Sequence, residues 1–228
     1  MDAAPGRGGR AVGRLRHGGC GDRRFADADS DYVFRGFTQT GEKPAIQGGI
    51  EFEAGNGFYA GTWGSSISWL SDSDPAVSSQ VELDGYFGYR GALSDAVGFD
   101  VGAIHYRYPG SYPAGFDRAD TWEAYAGIEA AGFGLRYAYA LTDLFGIPGS
   151  DGSGYLEASY GLDFAGRWTL GLHVGRQYVS GPTGQDYTDR RVSLGLALPQ
   201  AFALELAWTD VNLHEADSRA FVSLTKSF

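Results

Sequence analysis

Residues 190–209, RRVSLGLALPQAFALELAWT, alternate large apolar side chains with small or polar ones through two runs separated only by Pro199-Gln200-Ala201. In the first run Val192, Leu194, Leu196 and Leu198 stand opposite Arg191, Ser193, Gly195 and Ala197. In the second, Phe202, Leu204, Leu206 and Trp208 stand opposite Ala203, Glu205, Ala207 and Thr209. A period of two sorts side chains onto the two faces of a β-strand, whereas a helix repeats every 3.6 residues. RWTLGLHVG (167–175) and VELDGYFGY (81–89) carry the same signature, with Val81, Leu83 and Phe87 opposite Glu82, Asp84, Tyr86 and Gly88.

Extending this reading outward predicts twelve strands, near 26–36, 45–54, 57–66, 79–90, 96–107, 120–130, 132–141, 154–163, 167–178, 188–198, 201–209 and 219–228. Their connections alternate. AGNG (54–57), RGALSDAV (90–97), AAGF (130–133), FAGR (164–167) and PQA (199–201) are short. GFTQTGEKP (36–44), SSISWLSDSDPAV (65–77), PGSYPAGFDRAD (109–120), TDLFGIPGSDGSG (142–154), SGPTGQDYT (180–188) and DVNLHEADS (210–218) are longer. Short turns at one end and long loops at the other mark an all-β, transmembrane antiparallel up-and-down β-barrel of about twelve strands. Greek-key sandwiches do not alternate in this way. Aromatic residues near strand ends fit two interfacial belts: Trp168, Phe202, Phe133, Phe87 and Phe164 by short turns, and Trp208, Trp122, Tyr106, Tyr139 and Tyr178 by long loops.

Composition agrees. Glycine supplies 36 of 228 residues, far above the usual ~7%, and mean hydropathy is only -0.24. Net charge is -10. Residues 1–24 hold six Arg and two Asp, so the rest carries 26 acids against 12 bases, which excludes nucleic acid as a partner. Cys20 is the single cysteine, so no intrachain disulfide and no cysteine metal site is available. Residues 1–24 lack the apolar segment of an export signal. They are expected to be a disordered stretch, left by a wrong start codon or a frameshift in the signal-peptide region upstream of Phe25, with the barrel occupying 25–228. The terminal VSLTKSF, ending in Phe228, is expected to be read by the barrel-assembly machinery.

DYVFRG (31–36), TQT (38–40), PAIQGG (44–49) and GFYAGTW (57–63) resemble the TorF porin family of proteobacteria, a likeness covering roughly residues 30–228. The resemblance implies an exported barrel in the cell outer membrane, with outer-membrane lipid around it and neither catalytic residues nor a cofactor. Members of that family begin with a signal peptide, from which this chain departs. PAIQGG itself reads as a strand whose small residues permit curvature, and Arg35 is a candidate partner for lumen acids.

No catalytic or metal-binding site is expected. His17, His105, His173 and His214 form none of the metal-binding spacings, and GSDGSG (149–154) lacks the Lys-Ser/Thr of a phosphate loop. Ser159 or Ser193 could approach His173, though spacing does not place them together. DSDP (72–75) and HEAD (214–217) read as solvated acidic loops. The inward faces carry the candidate lumen-lining residues: Glu51, Glu53, Glu82, Asp84, Arg107, Glu123, Arg136, Glu157, His173, Arg191 and Glu205, with Glu129 and Lys226 beside them. Unpaired charge in a dry interior is costly, so such a lumen is either wet or packed with ion pairs. A wet one makes a passive, mildly cation-preferring channel for small solutes. A packed one makes a closed structural or surface-binding barrel. A soluble β-protein is a third reading, in which the chain would dissolve without detergent.

Overall fold

The computed structural model describes residues 21–213 and 217–228. Fourteen strands follow in chain order: β1 (Gly21–Asp29), β2 (Val33–Phe34), β3 (Phe37–Thr38), β4 (Ala45–Glu53), β5 (Phe58–Ser66), β6 (Val81–Ser94), β7 (Val97–Arg107), β8 (Thr121–Ala130), β9 (Phe133–Ala140), β10 (Gly154–Phe164), β11 (Trp168–Tyr178), β12 (Tyr187–Leu198), β13 (Phe202–Val211) and β14 (Arg219–Ser227). A one-turn helix, α1 (Trp69–Ser73), lies in the loop after β5. Twelve strands form one closed antiparallel barrel, in which β1 pairs with both β14 and β4. The pair β2–β3 stands apart as a small hairpin.

The expected barrel is therefore the one that forms, and eleven of its strands lie within a few residues of the spans read from periodicity. The first does not. It begins at Gly21 instead of 26, because Gly21–Asp29 ladder along β4 from Glu53 to Ala45 and the Arg23 guanidinium bonds Glu53 at 2.7 Å. Residues 21–24 are thus strand, not the disordered stretch expected of 1–24; residues 1–20, with His17 and Cys20, lie outside the described residues. The strand also ends early, at Asp29. Beyond it the Ser30 amide donates to the Val222 carbonyl at 2.8 Å, and the chain leaves the ladder. The part of the expected 26–36 strand beyond Asp29 is instead the stem of the small hairpin. At the other end of the sheet β6 runs to Ser94, so the connection expected over 90–97 shrinks to a turn at 95–96 and Phe87 sits within the strand rather than beside a turn.

Burial follows the period of two. On β6, Glu82, Asp84 and Tyr86 are buried and Val81, Leu83 and Phe87 exposed. Leu135, Leu172, Leu194, Leu206, Val222 and Leu224 are exposed on other strands. This outer surface is apolar around the whole barrel, which suits hydrocarbon and no aqueous setting. Trp122, Trp208, Tyr139 and Tyr178 at the long-loop end, and Phe133 and Phe164 at the other, are on the outside as belts require. Tyr106 is not: it is 1% exposed and points inward.

The glycine content has a packing cause. Inward tyrosines lie flat across inward glycines of the next strand. A Cβ at Gly61 would meet the Tyr86 hydroxyl at 2.4 Å, one at Gly88 the Tyr59 hydroxyl at 2.4 Å, and one at Gly102 the Tyr125 hydroxyl at 2.5 Å. Each ring uses the space that a missing side chain leaves.

Leu206 lies mid-strand on β13 and is 55% exposed. We expect Leu206→Arg to destabilise the barrel in lipid vesicles by about 2–4 kcal/mol, read by guanidinium unfolding under tryptophan fluorescence. An unchanged midpoint would show that this face does not meet lipid.

Candidate functional site

Residues 30–44 connect β1 to β4, and instead of standing above the barrel they turn into its long-loop mouth. The hairpin β2–β3 is closed by a two-residue turn, Arg35-Gly36, between the partners Phe34 and Phe37. Both turn residues have positive φ, 44° and 86°. That is the turn whose twist matches a two-stranded ribbon, and at a non-glycine residue such as Arg35 it costs ~1–2 kcal/mol. Gly36 has no alternative: a Cβ there would lie 2.3 Å from Val211 Cγ2 and 2.8 Å from Asp189 Cβ. The tip is pressed against β12 and β13.

From that tip the Arg35 side chain meets the wall opposite its own attachment strands. Its Nη1 and Nη2 donate to the two Glu123 oxygens on β8 at 2.9 and 2.7 Å, and Nη1 donates to Gln177 Oε1 on β11 at 3.0 Å. The guanidinium carbon sits 4.3 Å from the Tyr155 ring centroid and 5.9 Å from that of Phe145. The side chains of Arg35 and Glu123 are 6% and 2% exposed. The hairpin stem packs on either side. Tyr32 meets Trp63 edge-on at 5.4 Å, Phe34 meets Tyr106 at 5.8 Å and Phe145 at 5.6 Å, and Phe37 meets Tyr187 at 5.0 Å. At its base Asp31 accepts from the Thr38 and Thr40 hydroxyls. Burial pushes the Asp31 carboxyl above the usual carboxylate range, and those two donors oppose the rise.

The charged residues read from sequence mostly line this interior. Glu51 is gripped by Arg90, Nη1 to Oε1 at 2.6 Å, and Glu53 by Arg23. Arg90 also lies 3.7 Å from the Tyr59 centroid and 3.5 Å from Asp100. Arg136 approaches Glu157 at 3.9 Å and stacks 4.1 Å over Tyr125. Arg191 pairs with Glu205. His173 Nε2 is engaged by Asp189 at 2.9 Å and the Tyr155 hydroxyl at 3.1 Å, so neither Ser159 nor Ser193 holds that nitrogen. Glu82 is buried on the inward face of β6. Asp84, buried beside it, has no Lys or Arg partner among the described residues. Two expectations fail. Arg107 shares the outer face with its ladder partner Leu83 and is exposed. Lys226 lies over the Phe202 and Phe228 rings at the short-turn rim, where its ammonium bonds the Gln200 carbonyl. Both residues fall on the outward parity of their strands.

Exposure is graded along the interior. Arg35, Glu123, Gln177, Glu82 and Asp84 at the long-loop end are buried, whereas Glu53, Asp100, Arg136 and Glu205 are partly solvated. Side chains of the hairpin and the wall thus pack the long-loop mouth, while some inward groups nearer the short turns keep partial exposure. Periodicity could not have found Arg35, Gln177, Tyr155 and Asp189 as one cluster. The available signal was the Arg-Gly pair inside DYVFRG, a turn sequence in what otherwise reads as strand.

The model of a family described as bacterial protein of unknown function (Gcw_chp) matches residues 27–227. Among curated proteins none matches the sequence. The KdgM porin superposes with a TM-score of 0.59 at 11% identity, over 91% of this chain and 99% of its own. A KdgM porin described in complex with disordered oligogalacturonate gives the same values. The NanC porin superposes at 0.56, also at 11% identity, over 90% of this chain and 97% of its own. At such identity the likeness is one of fold, and the fold is that of outer-membrane porins.

Removing one member of a buried ion pair leaves the other uncompensated, at a cost of about 3–5 kcal/mol. We expect Glu123→Leu to unseat the hairpin, read as faster amide hydrogen exchange over 30–44. The double variant Arg35→Met/Glu123→Leu should recover much of the protection, and equal exchange in the single and double variants would show that the pair does not hold the hairpin.

Proposed function

The chain belongs to the Gcw_chp family of bacterial proteins of unknown function, and from its geometry we propose that it is an outer-membrane passive channel for small solutes, mildly cation-preferring. The inward hairpin is its constriction. The observation that carries this reading is the graded interior: partly solvated, charged walls lead to a mouth closed by one segment, and that segment is held by side chains rather than by the barrel ladder.

Cation preference is supported by an excess of acids on the inner surface. Asp27 and Asp29 on β1 and Glu82 and Asp84 on β6 face inward, with β4 and β5 between them, while Arg90, Arg136 and Arg191 are each engaged by a carboxylate. Such a surface attracts cations and repels anions. KdgM is described with an oligogalacturonate, a polyanion; an acid-rich lumen suits that class of solute poorly. Kinship with the TorF porin family remains part of the proposal, resting on DYVFRG, PAIQGG and GFYAGTW. Insertion through the barrel-assembly machinery, reading Phe228, belongs to it as well.

A second reading has its own support. The hairpin buries Tyr32 and Arg35 as thoroughly as a permanent core, which suits a closed structural or surface-binding barrel. Planar-bilayer recordings separate the two. We expect Arg35→Ala to raise single-channel conductance several-fold over the unaltered protein, and Glu53→Gln with Asp100→Asn to move the reversal potential in a KCl gradient toward zero. Conductance at lipid leak in both the unaltered and the Arg35→Ala protein would favour the closed barrel.

A further inference from the structure

The residues that receive Arg35 are organised by the barrel, not by the hairpin. Glu123 accepts the Tyr106 hydroxyl at 3.2 Å, from the neighbouring strand β7. Gln177 donates its Nε2 to the Gly154 carbonyl at 3.1 Å, which turns its Oε1 toward the guanidinium. Tyr155 is fixed by its hydroxyl, donated to Asp189 at 2.7 Å. None of these three anchors involves residues 30–44. The wall therefore presents a carboxylate whose two oxygens take the guanidinium fork, one of them also accepting the Tyr106 hydroxyl, with an amide oxygen and an aromatic face, all held by barrel residues.

This set matches one chemical group closely. Two in-plane carboxylate bonds, a third acceptor and a ring face suit a planar guanidinium, whose fork donates in its plane and stacks through its face. An ammonium satisfies the acceptors but not the plane. Neutral sugars and anions find no donor in the socket. We propose that the Glu123–Gln177–Tyr155 socket is a recognition site for solutes bearing an alkylguanidinium group, filled in this state by the protein's own Arg35. The inference rests on the pore reading and gives it a solute class: an alkylguanidinium entering the mouth takes the seat of Arg35 and the constriction is released.

The test is calorimetry with agmatine on protein in lipid nanodiscs, which reads binding without conductance. Arg35→Ala, with its socket vacated, is expected to bind about one agmatine per chain, the unaltered protein far more weakly, and Arg35→Ala/Glu123→Gln on the order of tenfold or more weakly than Arg35→Ala. Butylamine should bind Arg35→Ala less tightly than agmatine, and glucose not at all. Absence of binding by Arg35→Ala, equal binding by the unaltered protein, or indifference to Glu123→Gln overturns the proposal. Folding is checked first by circular dichroism, with Arg35→Gln in place of alanine if alanine does not fold. If neither variant folds alone, refolding yield is measured with agmatine present: a rise supports the socket, and an unchanged yield overturns it. Binding without conductance would leave the socket standing and remove the pore; conductance without binding would do the reverse.

Discussion

In hydrocarbon no water completes the hydrogen bonds of a peptide group, so a sheet survives there only when its first and last strands find each other. The pairing of β1 with both β14 and β4 meets that demand, and everything else in this molecule follows from it. A closed ladder leaves the period of two as the sole means of sorting side chains. One set faces lipid and must be apolar; the other faces a bounded interior and need not be. The same closure explains why β1 reaches back to Gly21: the rungs opposite Glu53 and Phe52 would otherwise be an open edge.

The interior then has to reconcile charge with limited space. Arginines lie against tyrosine rings while their forks hold carboxylates, as at Arg90 over Tyr59 with Glu51 and Arg136 over Tyr125 with Glu157. The rings themselves fit because glycine stands where they cross the next strand. Polar and aromatic groups thus share one surface, and some of those in its short-turn half keep partial exposure. At the long-loop half, the same building materials are gathered by the hairpin into a dry cluster around Arg35, and the mouth closes.

Strand parity was legible without coordinates wherever large and small residues alternate strictly. That is why Glu82, Asp84, Glu123, Arg136, Glu157, His173, Arg191 and Glu205 all prove to be inward. Arg107 and Lys226 keep the outward parity of their strands; the inward expectation failed because both stand at strand ends, where a charged side chain can leave the apolar band for the rim. Tyr106 misled in the opposite sense: an aromatic near a strand end suits a belt and a lumen equally, and only the strand's register decides between them.

The sequence by itself determined the barrel, its strand number, the side on which long loops gather and most of the charged residues that face inward. All of these depend on local periodicity and on connection length. It did not determine that residues 30–44 fold inward, nor which of the inward acids Arg35, expected to pair with one, would meet 88 positions away. An alternation of apolar and polar residues is shared by a barrel strand and by a hairpin stem, and turn chemistry at Arg35-Gly36 says where the chain reverses but not in which direction it points. That direction depends on what the far wall offers, and β1 and β4 come to face β8, β10 and β11 only once the sheet has closed.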